Sequence, residues 1–167
     1  MFVTLGKGLV IMGRESTCCF TGHRVLGADF STDLLARGIN YLIGLGVDTF
    51  ICGGAIGFDT LCAQAVLDAK LEHPHIKLHI YAPCSKQSEK WSKKDQLAYE
   101  IMLLKADYVD MPSSPYYDGC MKVRNYKMVD ASAYCICYMN SPRSGTGQTH
   151  NYAKRCGLTI YNLAGKS

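Results

Sequence analysis

Asp48-Thr49-Phe50-Ile51-Cys52 runs without a break into Gly53-Gly54-Ala55-Ile56-Gly57, and Phe58 to Glu72 follows with Leu61, Cys62, Ala65, Val66 and Ala69 on one stripe. The first five residues include Thr49, Phe50 and Ile51, the β-branched and aromatic types that fit a pleated surface. The apolar spacing from Phe58 onward is that of a helix. A strand, a glycine turn and a helix packed into so short a stretch form the repeating unit of an α/β fold.

Working outward from it, the same unit recurs. Upstream, Thr17–Phe20 reads as a strand that ends in the loop Thr21-Gly22-His23-Arg24. Ser31 or Thr32 caps a helix over Asp33–Leu45, with Leu34, Leu35, Ile39, Leu42 and Ile43 at helical spacing, and Gly44 and Gly46 end it. Downstream, the pattern predicts a strand over Lys77–Ala82 stopped by Pro83, a helix over Ser88–Lys105 and a strand over Asp107–Met111. After a loop holding Pro112 and Pro115 come a helix over Asp118–Asp130, the continuous apolar run Ala133–Met139, a helix over Thr146–Cys156 and a strand over Leu158–Leu163. Six strands alternating with five helices predict a single doubly wound parallel sheet with helices on both faces. Residues 1–16 have no clear period and read as an N-terminal extension; 17–167 form the domain.

Composition narrows the function. The chain of 167 residues is 48% hydrophobic and 19% charged, a globular balance. Its longest apolar run, Ala133–Met139, is far short of the ~20 residues of a membrane span, so a membrane protein is excluded. The apolar part of the N-terminal stretch is too short for a signal peptide, and a cytoplasmic protein is expected. A net charge of +4 with no long basic block is too mild to argue for nucleic acid, yet it does not oppose an anionic ligand. The nine cysteines contain no Cys-x-x-Cys, so no metal site is expected and the thiols read as free, small hydrophobes.

In a doubly wound sheet, ligands bind outside the carboxyl ends of the strands. The residues directly after the strands are therefore the candidates. Gly22 allows close backbone approach, His23 can move a proton, and Arg24 offers a fork to phosphate or carboxylate. Gly53, Gly54 and Ala55, at a strand–turn–helix junction, form an anion cradle of backbone N–H groups, though neither a Walker A loop nor the dinucleotide spacing. Asp59 in the following turn complements the helix dipole, or accepts from a ribose hydroxyl, or acts as a base. Ser144, Gly145 and Thr146, with Gly147, form a second such turn. Arg124 and Asn125 lie near the apolar side of their helix, and Asp130 sits at its C-terminal end against the dipole; a structural Arg–Asp pair and a functional site both fit that conflict. Trp91 reads as core rather than a stacking platform.

Five ordered blocks carry a resemblance. They are Thr21-Gly22-His23-Arg24; Gly53-Gly54-Ala55 with Gly57 and Asp59; Tyr81-Ala82-Pro83-Cys84 with Gln87 and Trp91; Gly119-Cys120-Met121 with Arg124-Asn125 and Met128-Val129-Asp130; and Ser144-Gly145-Thr146. Over Cys18 to Asn162 the chain resembles the YpsA-like family of the SLOG superfamily, which also includes DprA-like and LOG (lysine-decarboxylase-like) proteins. The resemblance implies a Rossmann-like fold and a pocket for nucleotides or nucleotide-derived ligands. It implies no settled reaction. LOG-type phosphoribohydrolases carry Pro-Gly-Gly-x-Gly-Thr-x-x-Glu with a catalytic Glu; here Thr149 stands at that place and supplies no carboxylate.

The resulting expectation is a binding module, with ligand sensing as its use. It holds a nucleotide-derived small molecule at the carboxyl edge with no cofactor of its own. The alternative is a hydrolase or transferase acting on an N-glycosidic or phosphoester bond, with His23 and Asp59 as acid–base groups. Single-stranded DNA binding ranks third, because no basic stripe is visible. A homo-oligomer is left open.

Overall fold

The structure, a computed structural model, describes residues 2–4, 9–11 and 13–165. Within the extension, strands β1 (Phe2–Thr4) and β2 (Leu9–Ile11) pair antiparallel, apart from the main sheet. A 3₁₀ turn, Arg14–Ser16, leads into the domain.

The main sheet has strands β3 (Thr17–Gly22), β4 (Thr49–Cys52), β5 (Lys77–Tyr81), β6 (Tyr108–Asp110), β7 (Tyr134–Tyr138) and β8 (Thr159–Asn162). Their spatial order is β6-β5-β4-β3-β7-β8, and every neighbouring pair is parallel. The crossovers are α1 (Thr32–Gly44), α2 (Phe58–Glu72), α3 (Lys93–Lys105), α4 (Cys120–Asp130) and α5 (Gly145–Arg155). This is a single six-stranded, doubly wound, Rossmann-like sheet.

Alternation along the strands divides the core in two. Cys18, Phe20, Phe50, Cys52, Leu78, Ile80, Ile136 and Tyr138 face one side, where Leu35, Ile39 and Leu42 of α1, Cys62 and Val66 of α2, and Met102 of α3 meet them. Cys19, Ile51, Tyr81, Cys135 and Cys137 face the other, against Met128 and Val129 of α4 and Ala153 of α5. Each large apolar side chain buried here contributes about 1.5–3 kcal/mol. Strands β3, β4 and β7 are buried on both faces, which is why Cys18–Phe20, Phe50–Cys52 and Cys135–Tyr138 read as unbroken apolar runs. All nine cysteines are free, and only Cys156 is partly exposed.

Two helix starts lie more than one residue from where the sequence places them. The helix expected from Ser88 begins at Lys93, because Ser92 caps it by accepting from Asp95 N–H, and the Gln96 side chain donates back to the Ser88 and Glu89 carbonyls. Residues 85–90 are thereby held as turns. The helix expected from Asp118 begins at Cys120, after Gly119 takes a left-handed conformation with φ of 90°. Among the described residues, no helix is long and apolar enough to cross a membrane.

The winding reverses at β3. From it the chain moves outward through β4, β5 and β6, then returns to place β7 on its other side. The two sets of crossovers diverge there and leave a crevice at the carboxyl ends of β3 and β7.

Candidate functional site

Gly22 ends β3, Gly54 follows β4 by two residues, and Gly145 opens α5 after β7, so all three lie along the carboxyl edge. A cavity of about 260 Å³ occupies the crevice. The loop after β3 gives it Gly22, His23 and Arg24, and the α2 entry gives Ala55 and Asp59. Helix α4 supplies Met121, Arg124 and Asn125, and the start of α5 supplies Ser144, Gly145 and Thr146. Ten of the thirteen residues expected at the site from sequence are thus brought together.

Arg124 dominates the electrostatics. It is only 6% exposed. Its Nη1 donates to the carbonyls of Gly53 at 2.5 Å and Tyr81 at 3.1 Å and to Gln87 Oε1 at 3.4 Å, while Nε donates to Asn125 Oδ1 at 2.8 Å. The contact of Nη2 is the Met121 sulfur at 3.7 Å. Every one of these partners is neutral, and Arg124 enters no ion pair among the described residues. Burial pulls its pKa down, with Asp59 the largest opposing influence. A buried cation whose hydrogen bonds all go to neutral acceptors has its charge offset only through space, chiefly by Asp59.

Asp59 has the opposite problem. It is 7% exposed, and burial raises its carboxyl pKa against the lowering effect of Arg124 and the Ala55 N–H. Its Oδ2 accepts from Ala55 N–H at 3.1 Å. The N–H of Phe58 donates to the His23 carbonyl at 3.2 Å. The turn at 53–57 is therefore not the open anion cradle its sequence implied. Its own aspartate occupies the position an external anion would take. Gly53 and Gly54 do not line the cavity either. The Gly53 carbonyl receives Arg124 and also Gln87 Nε2 at 3.2 Å, and Gly54, at φ of 69°, packs under Tyr99. Gly53 seats the arginine and Gly54 makes room for Tyr99, and neither lines the cavity.

The second turn remains open. Ser144 caps α5: its Oγ accepts from Gly147 N–H at 3.0 Å and donates to the Ser141 carbonyl at 2.6 Å. That takes Gly147 out of the expected nest. The N–H groups of Gly145 and Thr146 belong to the first turn and have no intrahelical acceptor. Thr149 turns inward, donating from Oγ1 to the Gly145 carbonyl at 2.9 Å. His23 Nε2 accepts from Asn140 N–H at 3.2 Å, which assigns the ring proton to Nδ1.

Asp130 is not part of the site. It ends α4 and so lies at the amino edge, where its Oδ1 accepts from the Tyr152 hydroxyl at 2.6 Å rather than from the Gly22–Arg24 loop. Trp91 is half-buried, edge-on to Tyr99 with ring centroids 5.4 Å apart, and does not line the cavity. The sequence reading gave no role to Met121, although helical spacing from Arg124 and Asn125 puts it on their face.

A family model, YpsA, described as the YspA SLOG family, matches residues 27–160. The chain is 29% identical over 126 residues to a UPF0398 protein of Halalkalibacterium halodurans, covering 74% of this chain and 67% of that one. It is 32% identical over 122 residues to the uncharacterised SPbeta prophage-derived protein YoqJ of Bacillus subtilis, covering 65% of this chain and 71% of that one. Among solved structures it resembles DNA processing protein A of Helicobacter pylori, described for its single-stranded DNA binding mode, with a TM-score of 0.64 and 17% identity over 89% of this chain. It also resembles the DNA processing protein A of Streptococcus pneumoniae, with a TM-score of 0.62 and 16% identity over 86% of this chain. The chain spans 65% and 48% of those two proteins, and at such identities the likeness is one of fold.

Proposed function

We propose, for a chain that belongs to the YspA SLOG family, that the crevice between β3 and β7 binds a nucleotide or nucleotide-derived small molecule. The observation that carries this reading is Arg124, a buried guanidinium held by neutral acceptors. A phosphate supplies the directly hydrogen-bonded anion that Arg124 lacks among the described residues. The open first turn of α5 adds N–H donors and a favourable dipole end. Arg24 lines the same cavity. Across from these donors, the Asp59 carboxylate accepts from ribose hydroxyls. The volume of about 260 Å³ lies below the roughly 300–1,000 Å³ of pockets that engulf a whole drug-sized ligand. It suits a ribose phosphate with the base at the mouth.

Thermal melts and calorimetric titration with nucleoside monophosphates and the matching nucleosides test the reading. At equal concentrations the phosphorylated form should stabilise more, reaching about 2.7 kcal/mol over the free protein at 100 times its Kd. Equal shifts from the two overturn it. Chromatography of the same mixtures for released base tests the hydrolase alternative, in which Asp59 and His23 act as acid and base.

A second reading has its own observation. A groove of about 450 Å³ between α4 and α5 is lined by Lys122, Tyr126, Gln148, Asn151, Lys154 and Arg155, three cations and no carboxylate. Tyr126 stacks on Tyr152 at 3.8 Å, with Lys122 over Tyr126 and Arg155 over Tyr152. Cations interleaved with aromatic rings suit a single-stranded nucleic acid. An oligodeoxythymidylate titrated at several salt concentrations should then bind with a logarithmic slope of about −0.7 per phosphate contacted. Lys122→Glu combined with Arg155→Glu should flatten that slope. A wild type that does not bind the strand excludes this second reading.

A further inference from the structure

The segment after β3 carries His23 and Arg24 into the cavity and then runs over the surface, with Val25 85% exposed. It is fastened at two places. At the near end the His23 carbonyl accepts from Phe58 N–H at 3.2 Å, and the Arg24 backbone lies on Gly57, where a Cβ would stand 2.2 Å from the Arg24 carbonyl oxygen. Gly57 has φ of 90°, so any side chain there is both strained and in the way.

At the far end a buried hydroxyl and the Gly165 N–H meet at Asp29. Tyr138, the last residue of β7, is fully buried. Its Oη accepts from Gly27 N–H at 3.0 Å and donates to Asp29 Oδ1 at 2.5 Å. The second oxygen of Asp29 accepts from Gly165 N–H at 2.6 Å. A Cβ on Gly27 would lie 2.9 Å from that hydroxyl oxygen and 2.7 Å from Asp29 Oδ1, so the segment is built to pass close to both. The Tyr138 ring also meets the edges of Phe30 at 5.6 Å and His23 at 6.1 Å. Phenylalanine would fill the same core space. The hydroxyl adds two bonds to one surface segment, and a buried polar group placed to make them holds that segment at both Gly27 and Asp29.

We propose that Tyr138 and Asp29 act as positioning residues, a latch that holds the 23–29 segment so that His23 and Arg24 line the crevice. This deepens the nucleotide-binding reading and rests on it for its consequence. The latch itself is a statement about the segment alone and is measurable without ligand.

The experiment is hydrogen exchange on the full chain, wild type against Tyr138→Phe, together with titration of adenosine 5′-monophosphate. Exchange at residues 23–29 should rise while the remaining core amides stay protected. AMP affinity should fall about tenfold, the scale of one lost hydrogen bond. In an Arg24→Ala background the same substitution should cost much less, because the latch acts through that loop. Should Tyr138→Phe loosen the whole fold, Asp29→Ala, which leaves the ring in place, gives the same local readout. Unchanged exchange at residues 23–29 in both variants overturns the latch whether or not AMP binds. AMP failing to bind the wild type overturns the nucleotide reading, and the exchange result then decides the latch by itself.

Discussion

The Gly53 carbonyl accepts from Arg124 Nη1 at 2.5 Å, and a Cβ at Gly53 would stand 2.5 Å from the guanidinium carbon. The glycine is set by the arginine, since no larger residue leaves the guanidinium its place. Gly53→Ala should therefore displace Arg124, although Gly53 itself does not line the cavity. The expected outcome is a stability loss of about 1–3 kcal/mol from overpacking, with weaker binding of nucleoside monophosphates and unaltered binding of nucleosides. Paired melts and titrations check it; phosphate-independent losses would count against Arg124 as the phosphate's partner.

Arg124→Ala removes the cation itself. Loss of a charge-assisted contact should weaken monophosphate binding by on the order of 1.5–3 kcal/mol. Stability should fall too, because the Tyr81 carbonyl loses a donor, whereas the Gly53 carbonyl keeps Gln87 Nε2. Calorimetric titration of folded variant separates the two effects. Unchanged affinity assigns Arg124 to structure alone.

His79 makes stability depend on pH. It is 4% exposed, its Nδ1 is buried with no hydrogen-bond partner among the described residues, and burial lowers its pKa to about 4 from the ordinary 6.5. The folded state thus disfavours the proton that the unfolded chain accepts. Its contribution is complete above pH 6.5 and is lost as pH falls from there toward 4. A shift of that size corresponds to on the order of 3 kcal/mol. Urea unfolding at stepped pH should show the decline, and His79→Leu, which removes a buried polar atom as well as the titration, should flatten it. A wild-type profile already flat over that interval would refute the assignment.

Much of this was legible before the structure. Asp48 to Glu72 showed its strand, turn and helix because local propensity and burial agree there, and α2 spans Phe58–Glu72 as the spacing indicates. The α3 start was not legible, because the Gln96 side chain closing on the Ser88 and Glu89 carbonyls overrides a helical stripe that includes Trp91. In the site, residue types were readable and their partners were not. That Asp59 turns back to the Ala55 N–H, filling the turn that looked like an anion cradle, depends on one rotamer. That Tyr138 reaches Gly27 and Asp29 depends on two segments more than a hundred positions apart, and no local pattern records it.

Asp59 and Asp130 were the two carboxylates with a claim on the ligand, and the fold separates them. Asp130, exposed at the amino edge and joined to Tyr152, should be replaceable by Ala with neither melting temperature nor nucleotide affinity changed. Asp59 faces the cavity. Asp59→Asn keeps the size and an oxygen for the Ala55 N–H, but loses the charge that strengthens hydrogen bonds from ribose hydroxyls. Bonds to charged groups exceed neutral ones by about 1 kcal/mol, so ribonucleotide affinity should fall roughly fivefold while inorganic phosphate binding holds or improves. Inorganic phosphate has no ribose hydroxyls whose bonds to Asp59 could weaken, and removing a nearby carboxylate leaves Arg124 more of its charge for the anion. Titrating both probes against both variants gives four affinities. A ribonucleotide loss in Asp130→Ala, or none in Asp59→Asn, would reverse the assignment of these two residues.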